Sequence, residues 1–325
     1  MRILCFILFV FSFVFFGFAQ DIHFSQMNSS PLLLNPSFTG NFYGNHRIML
    51  NYRDQWSSIT TPFRTISAAY DFKKSAKSYS GIGVNLFGDR AGDASLGITQ
   101  LNFTAAINKP VSDKNRLAAG FLAGLVQRSI DFSKIKWGNQ FDQSGYNPDI
   151  VSDELLGSET FYNLDLGIGL LWHCKYSENT SFNFGISASH FNFPGIGFYK
   201  ASNDILNPKY IAHTDFKINL NKNETALCPS LIYVQQGVSK EIIAGMLLKY
   251  PINTKNIVSF GCGFRWGDAL IPCLRYELTD TYIIEMSYDI QLSDLIVASN
   301  GRGAFEISFH YLMVNKLKAV GCEFK

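Results

Sequence analysis

From residue 46 onward the sequence is built from stretches in which apolar and polar residues alternate, and this repetition restricts the fold more than any other feature. In TYIIEMSYDIQL, residues 281–292, Tyr282, Ile284, Met286, Tyr288 and Ile290 share one side, and Ile283, Glu285, Ser287 and Asp289 share the other. A period of two belongs to a strand with one dry and one wet face. The pattern recurs in HRIMLNYRDQW, RTISAAYDF, LGITQLNFTAAINKP, KEIIAGMLLKYP, GAFEISFHYLM and others, about fourteen segments, each near the roughly 9–11 residues that a tilted membrane strand needs. Strands in soluble domains are usually about 5–6 residues long.

The connections repeat the message. Those after odd-numbered segments include SSITTP, GDRAGDAS, the stretch 131–162, FPGIGFYKASNDILNP and SDLIVASNGRG. Those after even-numbered segments (KKSAKS, VSDKN, YSEN, NKNE, PINTKN, TD) are short and polar, rich in residues that suit tight turns. Outer-membrane barrels have short periplasmic turns and longer outer loops. We therefore expect an all-β fold, a transmembrane antiparallel β-barrel of about fourteen strands. The apolar side should face lipid, and Gln100, Asn102, Thr104, Asn108, Glu306, Ser308 and His310 should line the lumen. A soluble β-sandwich that packs its aromatics inside is the competing fold, and it predicts recovery in buffer without detergent.

The N-terminus reads MRILCFILFVFSFVFFGFAQ: one early arginine, a continuous apolar run, and small residues Gly17 and Ala19. That is the composition of a secretory leader cleaved after Ala19. The expected organisation is a signal peptide over 1–19, an N-terminal periplasmic or plug segment over 20–45, and an outer-membrane barrel over 46–325. The net charge of +2 and 17% charged residues suggest no nucleic-acid partner. The 29 Phe and 15 Tyr suit a lipid-facing wall. Of the cysteines beyond the leader, Cys262 and Cys273 flank the WGDA turn, yet the alternation puts them on opposite faces, so we expect no bridge between them.

Catalytic signatures are missing from the sequence: no G-x-S-x-G, no H-E-x-x-H, no phosphate-binding loop and no C-x-x-C. The six histidines have no metal-ligand spacing, and Asp89, Arg90, Asp93 and His190 form no recognisable catalytic set. The expectation is a non-enzymatic protein with no cofactor and no metal.

Specific residues narrow this further. Phe24, Ser25 and Gln26, then Asn35, Pro36, Phe38 and Gly40 in SPLLLNPSFTG, then Tyr52, Arg53, Gln55 and Trp56, then Tyr70 and Asp71, then Asp89, Arg90 and Gly92, and later RSIDFSKIKWGNQFD, together resemble the PorP/SprF family. These are outer-membrane proteins of the type IX secretion and gliding machinery of Bacteroidetes. The resemblance in specific residues covers about the first 145 positions, and in strand pattern the remainder. It implies a secretion-assembly component in the outer membrane. Its partners would be outer-membrane lipid, periplasmic ring lipoproteins, peptidoglycan-linked components and a large secreted adhesin. The tail KAVGCEFK departs from the aromatic ending common to barrel proteins.

On the residues themselves, Arg53 and Gln55 fall on the lumen side and Trp56 on the lipid side. A lumen arginine needs a carboxylate or carbonyl partner, either in the N-terminal segment or at Asp89. For a protein partner, the best surface is the outer loop with Trp137, Phe141 and Tyr146, because aromatics anchor interfaces. A channel or hydrophobic-solute transporter gated by the N-terminal segment is the alternative function.

Overall fold

The computed structural model describes residues 21, 24–56, 61–74, 79–142, 145–152, 157–198, 204–221, 225–294, 296–299 and 301–313. The expected leader, 1–19, and the tail from 314 lie outside the described residues. Fourteen strands form a closed antiparallel ring in sequence order. They are β1 (His46–Gln55), β2 (Phe63–Lys73), β3 (Ser80–Ala91), β4 (Leu96–Pro110), β5 (Asn115–Ser129), β6 (Thr160–Lys175) and β7 (Thr180–Ser189), followed by β8 (Lys209–Asn219), β9 (Ala226–Gln236), β10 (Ser239–Pro251), β11 (Asn256–Arg265), β12 (Ala269–Leu278), β13 (Tyr282–Gln291) and β14 (Arg302–Met313). The first and last strands close the ring, with His46 opposite Met313 and Gln55 opposite Ala304. Closure pairs every strand edge, which is the condition for crossing hydrocarbon with strands.

The alternation read from the sequence maps onto inside and outside. Along β13 every second residue is exposed, from Tyr282 to Ile290, and the residues between are buried or half-buried inside. Phe103, Ile107, Leu164, Ile168, Leu170, Phe260 and Leu274 continue the outer apolar surface. Asn102, Thr104, Glu306, Ser308 and His310 are buried on the inner face. Gly261 pairs with Cys273 and Cys262 with Pro272, and both cysteines are free.

Long connections gather at one end, 130–159, 190–208 and 292–301, and tight turns such as 111–114, 176–179 and 252–255 gather at the other. One differs from expectation: the first half of GDRAGDAS, 88–91, is strand. Arg64 still pairs with Arg90 across β2 and β3, leaving only 92–95 as the connection.

Residues 24–45 run inside the ring, from the long-loop end to the tight-turn end. Pro31 sets the first turn of α1 (Pro31–Leu34), since it needs no N–H partner there. Asn35 Oδ1 accepts from the Ser37 backbone N–H at 3.0 Å and caps the 3₁₀ turn Pro36–Phe38. The apolar run then finds an apolar wall. Met27 and Leu34 pack with Ile211, Ile232, Val234 and Ile243 of β8–β10, and Phe38 joins them. The inner face is therefore not uniformly wet. It is greasy where Met27 and Leu34 lie, because each such side chain fully buried contributes about 1.5–3 kcal/mol.

Candidate functional site

The inner segment and the wall that grips it are the most elaborated part of the molecule. Near the long-loop end Arg53 binds Glu306, and it also contacts Asp289 at 3.1 Å. Arg265 binds Asp289 at 3.1 Å, Asp268 at 2.9 Å and Glu241 at 2.9 Å. Ser25 sits at the centre: its hydroxyl donates to Asp289 (2.7 Å) and accepts from Arg53 (2.6 Å) and Arg265 (2.5 Å). Backbone N–H groups of Ser25 and Gln26 donate to the two oxygens of Glu306, at 2.5 and 2.8 Å. Buried charges survive only when paired and hydrogen-bonded, and here the segment's own backbone completes the pairing.

Midway down, Asn35 is fully buried, and its amide donates to the carbonyls of Leu170 (3.0 Å) and Ile186 (3.2 Å) and meets His213 Nε2 at 3.2 Å. Glycine makes that approach possible, because a Cβ at Gly120 would strike Pro36 and Ser37 backbone atoms and one at Gly169 would strike Asn35. Toward the tight-turn end Gly40, at φ +70°, donates its N–H to Asp71 (2.8 Å) and lies against Gly81. Arg47 grips Asp71 with two bonds of 2.9 Å and reaches the Phe38 carbonyl at 3.2 Å. Such two-pronged pairs are among the stronger ionic contacts.

At the other extreme Asp21 meets His190 Nε2 at 2.5 Å, and Asp165 meets Nδ1 at 2.8 Å. Burial opposes the charge on His190, but the two carboxylates outweigh it and raise its pKa to about 9, so at neutral pH the imidazolium donates to both. Burial likewise opposes the charge on Asp21; the His190 hydrogen bond and the nearby cations hold it below the usual carboxylate range. Next to this cluster, between the segment and the β3–β8 wall, lies a cavity of about 100 Å³.

The residues singled out in the sequence fall into three places. Asn35, Pro36, Phe38 and Gly40 belong to the inner segment, and Arg53 grips it. Gln55 accepts from Arg53 at 3.1 Å. The carboxylates on Arg53 are Glu306 and Asp289, whereas Asp89 accepts from the Thr65 hydroxyl at 2.6 Å. Trp56 and Arg90 are at the rim: Trp56, at φ +58°, stacks edge-on against Phe63, and Arg90 is exposed. The outer-loop aromatics are elsewhere. Trp137 is half-buried, and Phe141 and Tyr146 are exposed with their rings 5.5 Å apart. Phe198 packs against Phe132 and Phe161, tying two long connections together. Sequence reasoning did not single out Asp165 or Arg265, and it named Asp71 and Asp289 without a partner for either. The available signal was charge at inward positions of otherwise apolar strands.

A closed ring of long strands with an apolar outer belt and charges turned inward defines an outer-membrane β-barrel. Two solved barrels share the fold. The Ralstonia pickettii toluene transporter TbuX is 11% identical, covering 88% of this chain and 94% of its own, with a TM-score of 0.53. The CymD monoaromatic hydrocarbon channel is 10% identical, covering 92% and 95%, with a TM-score of 0.51. The chain belongs to the PorP/SprF family, described as type IX secretion system membrane proteins, which it matches over residues 16–311. No curated protein matches it.

Proposed function

We propose that this protein is a non-enzymatic outer-membrane component of the type IX secretion system that docks a surface protein such as an adhesin and supports its export or anchoring. On the inner side it links to periplasmic ring lipoproteins and peptidoglycan-linked components. The leader over 1–19 delivers it, and residues 20–45 serve as a plug. The observation that carries this reading is the segment seated in the lumen by Ser25, Asn35 and Gly40 through buried ionic and amide contacts. A barrel occupied in this way is a scaffold with two docking faces more readily than an open pore. Phe141 and Tyr146, with Lys136 5.0 Å above the Tyr146 ring, offer aromatic anchors on the outer face.

The test is co-purification from cross-linked envelopes with a tag in the 292–301 connection. Ring lipoproteins and a large surface protein should be recovered together, and Phe141→Ala with Tyr146→Ala should release the surface protein alone. Recovery of the barrel with neither would overturn the reading. A second reading, a channel for hydrophobic solutes, is favoured by the cavity beneath the long-loop end; solute-dependent conductance in planar bilayers would support it.

A further inference from the structure

The cavity at the long-loop end combines features that the secretion role does not use. Its floor is apolar, formed by Phe24 and Leu34 of the inner segment with Phe87, Leu122, Val126 and Ile211 of the wall. Its rim is charged, with Arg128, Lys209 and His190 against Asp21 and Asp165. His190 is already bonded to both carboxylates. No hydrogen bond or ion pair among the described residues holds Arg128 or Lys209, although Asp21 attracts both electrostatically. Among the described residues lining the cavity three positive groups face two negative ones. Glu241, outside the cavity, also attracts Lys209, which leaves Arg128 served only by the two carboxylates already bonded to His190, at the mouth of an apolar hole. The Ser30 hydroxyl is a further unmet group, since it lines the same cavity, is 7% exposed and has no hydrogen-bond partner among the described residues. Buried polar groups are normally satisfied, so an orphan facing a cavity signals something that binds there.

We propose that this cavity is a binding site for a small amphipathic monocarboxylate. The hydrocarbon part lies against the apolar floor and the carboxylate sits at the rim between Arg128 and Lys209. At about 100 Å³ the cavity is smaller than the engineered apolar cavities of about 150 Å³ that take up benzene, so it limits the enclosed tail to about four or five carbons, with the carboxylate outside it at the rim. Charge favours an anion over an alcohol of the same length, because the head group supplies the missing negative charge. Phe24, Ser30 and Leu34 belong to the inner segment, so the ligand bridges segment and wall and stabilises the seated state increasingly as its concentration rises above its Kd.

The test uses the protein taken from outer membranes, delipidated and placed in nanodiscs, titrated calorimetrically with sodium hexanoate and, separately, with hexan-1-ol. Saturable one-to-one binding of hexanoate is expected, at least tenfold tighter than hexanol. Arg128→Gln with Lys209→Gln should weaken hexanoate at least tenfold while leaving hexanol unchanged. Val126→Trp should abolish both, and Leu122→Phe serves the same purpose if the tryptophan variant does not fold; folding is checked by the shift in gel mobility on heating. Absence of saturable hexanoate binding to the folded protein overturns the proposal. So does hexanoate binding that survives both the cavity-filling and the charge-removing variants, or hexanol binding as tightly as hexanoate. None of these outcomes bears on co-purification with secretion components, so the two readings fail separately.

Discussion

At the residue scale, the molecule is held together internally by a few ionic groups with more than one partner each. Removing one member of a buried ion pair leaves the other uncompensated, at a cost of about 3–5 kcal/mol. Arg53→Ala, which takes from Glu306 its ionic partner among the described residues while Asp289 keeps Arg265, should lower the free energy of unfolding in lipid by that order, read as a lower urea midpoint, and an unchanged midpoint would remove the latch from the account. The His190 tie adds a pH dependence. Its pKa rises from 6.5 to about 9 on folding, so its contribution is complete below about pH 6.5 and is lost as pH rises through about 9. Asp21, held low, acts in the opposite sense and loses its contribution only on acidification. Unfolding midpoints measured across neutral to alkaline pH should therefore fall in the native protein and stay flatter in His190→Gln.

At the scale of elements, the inner segment is a guest whose binding site is the barrel wall. Its turns come from local chemistry, Pro31 and Pro36 at first-turn positions and Asn35 as a cap, but its place comes from contacts far away in sequence. Gly120→Val should unseat it, because side-chain atoms there would occupy the space of Pro36 and Ser37. The expected readout is ion conductance in planar bilayers, low for the native barrel and raised in the variant, since the vacated wall carries Asp71, Asn102, Asp289 and Glu306 and would hydrate. Equal conductance in both would mean that the segment does not limit passage.

At the scale of the whole molecule, strand parity sets sidedness. All the long connections share one end, which in outer-membrane barrels is the outer face. Trypsin added to intact cells should cut after the exposed Lys134 or Lys136 and spare the exposed Lys114 and Lys255, which open to the protease only after permeabilisation. Cutting in the reverse order would invert the molecule and, with it, the assignment of docking faces.

Alternation along each strand, taken with segment length and the parity of the connections, was enough to indicate the ring, its approximate strand number and which side chains face out, because in a membrane barrel a period of two leaves a single way to put apolar residues on lipid. Thus Tyr282–Ile290, and the opposite faces of Cys262 and Cys273, were readable from sequence order alone. Arg53 could be seen to need a partner, but not which one. Glu306 and Asp289, 253 and 236 residues away, meet it only after the last strands close against the first, and Ser25, 28 residues away, only once the segment threads between them. The apolar inner patch of β8–β10, the glycine gap at Gly120 and Gly169, and the charged rim of the cavity belong to the same category. Each depends on which strands face one another across the lumen, and no local period encodes that.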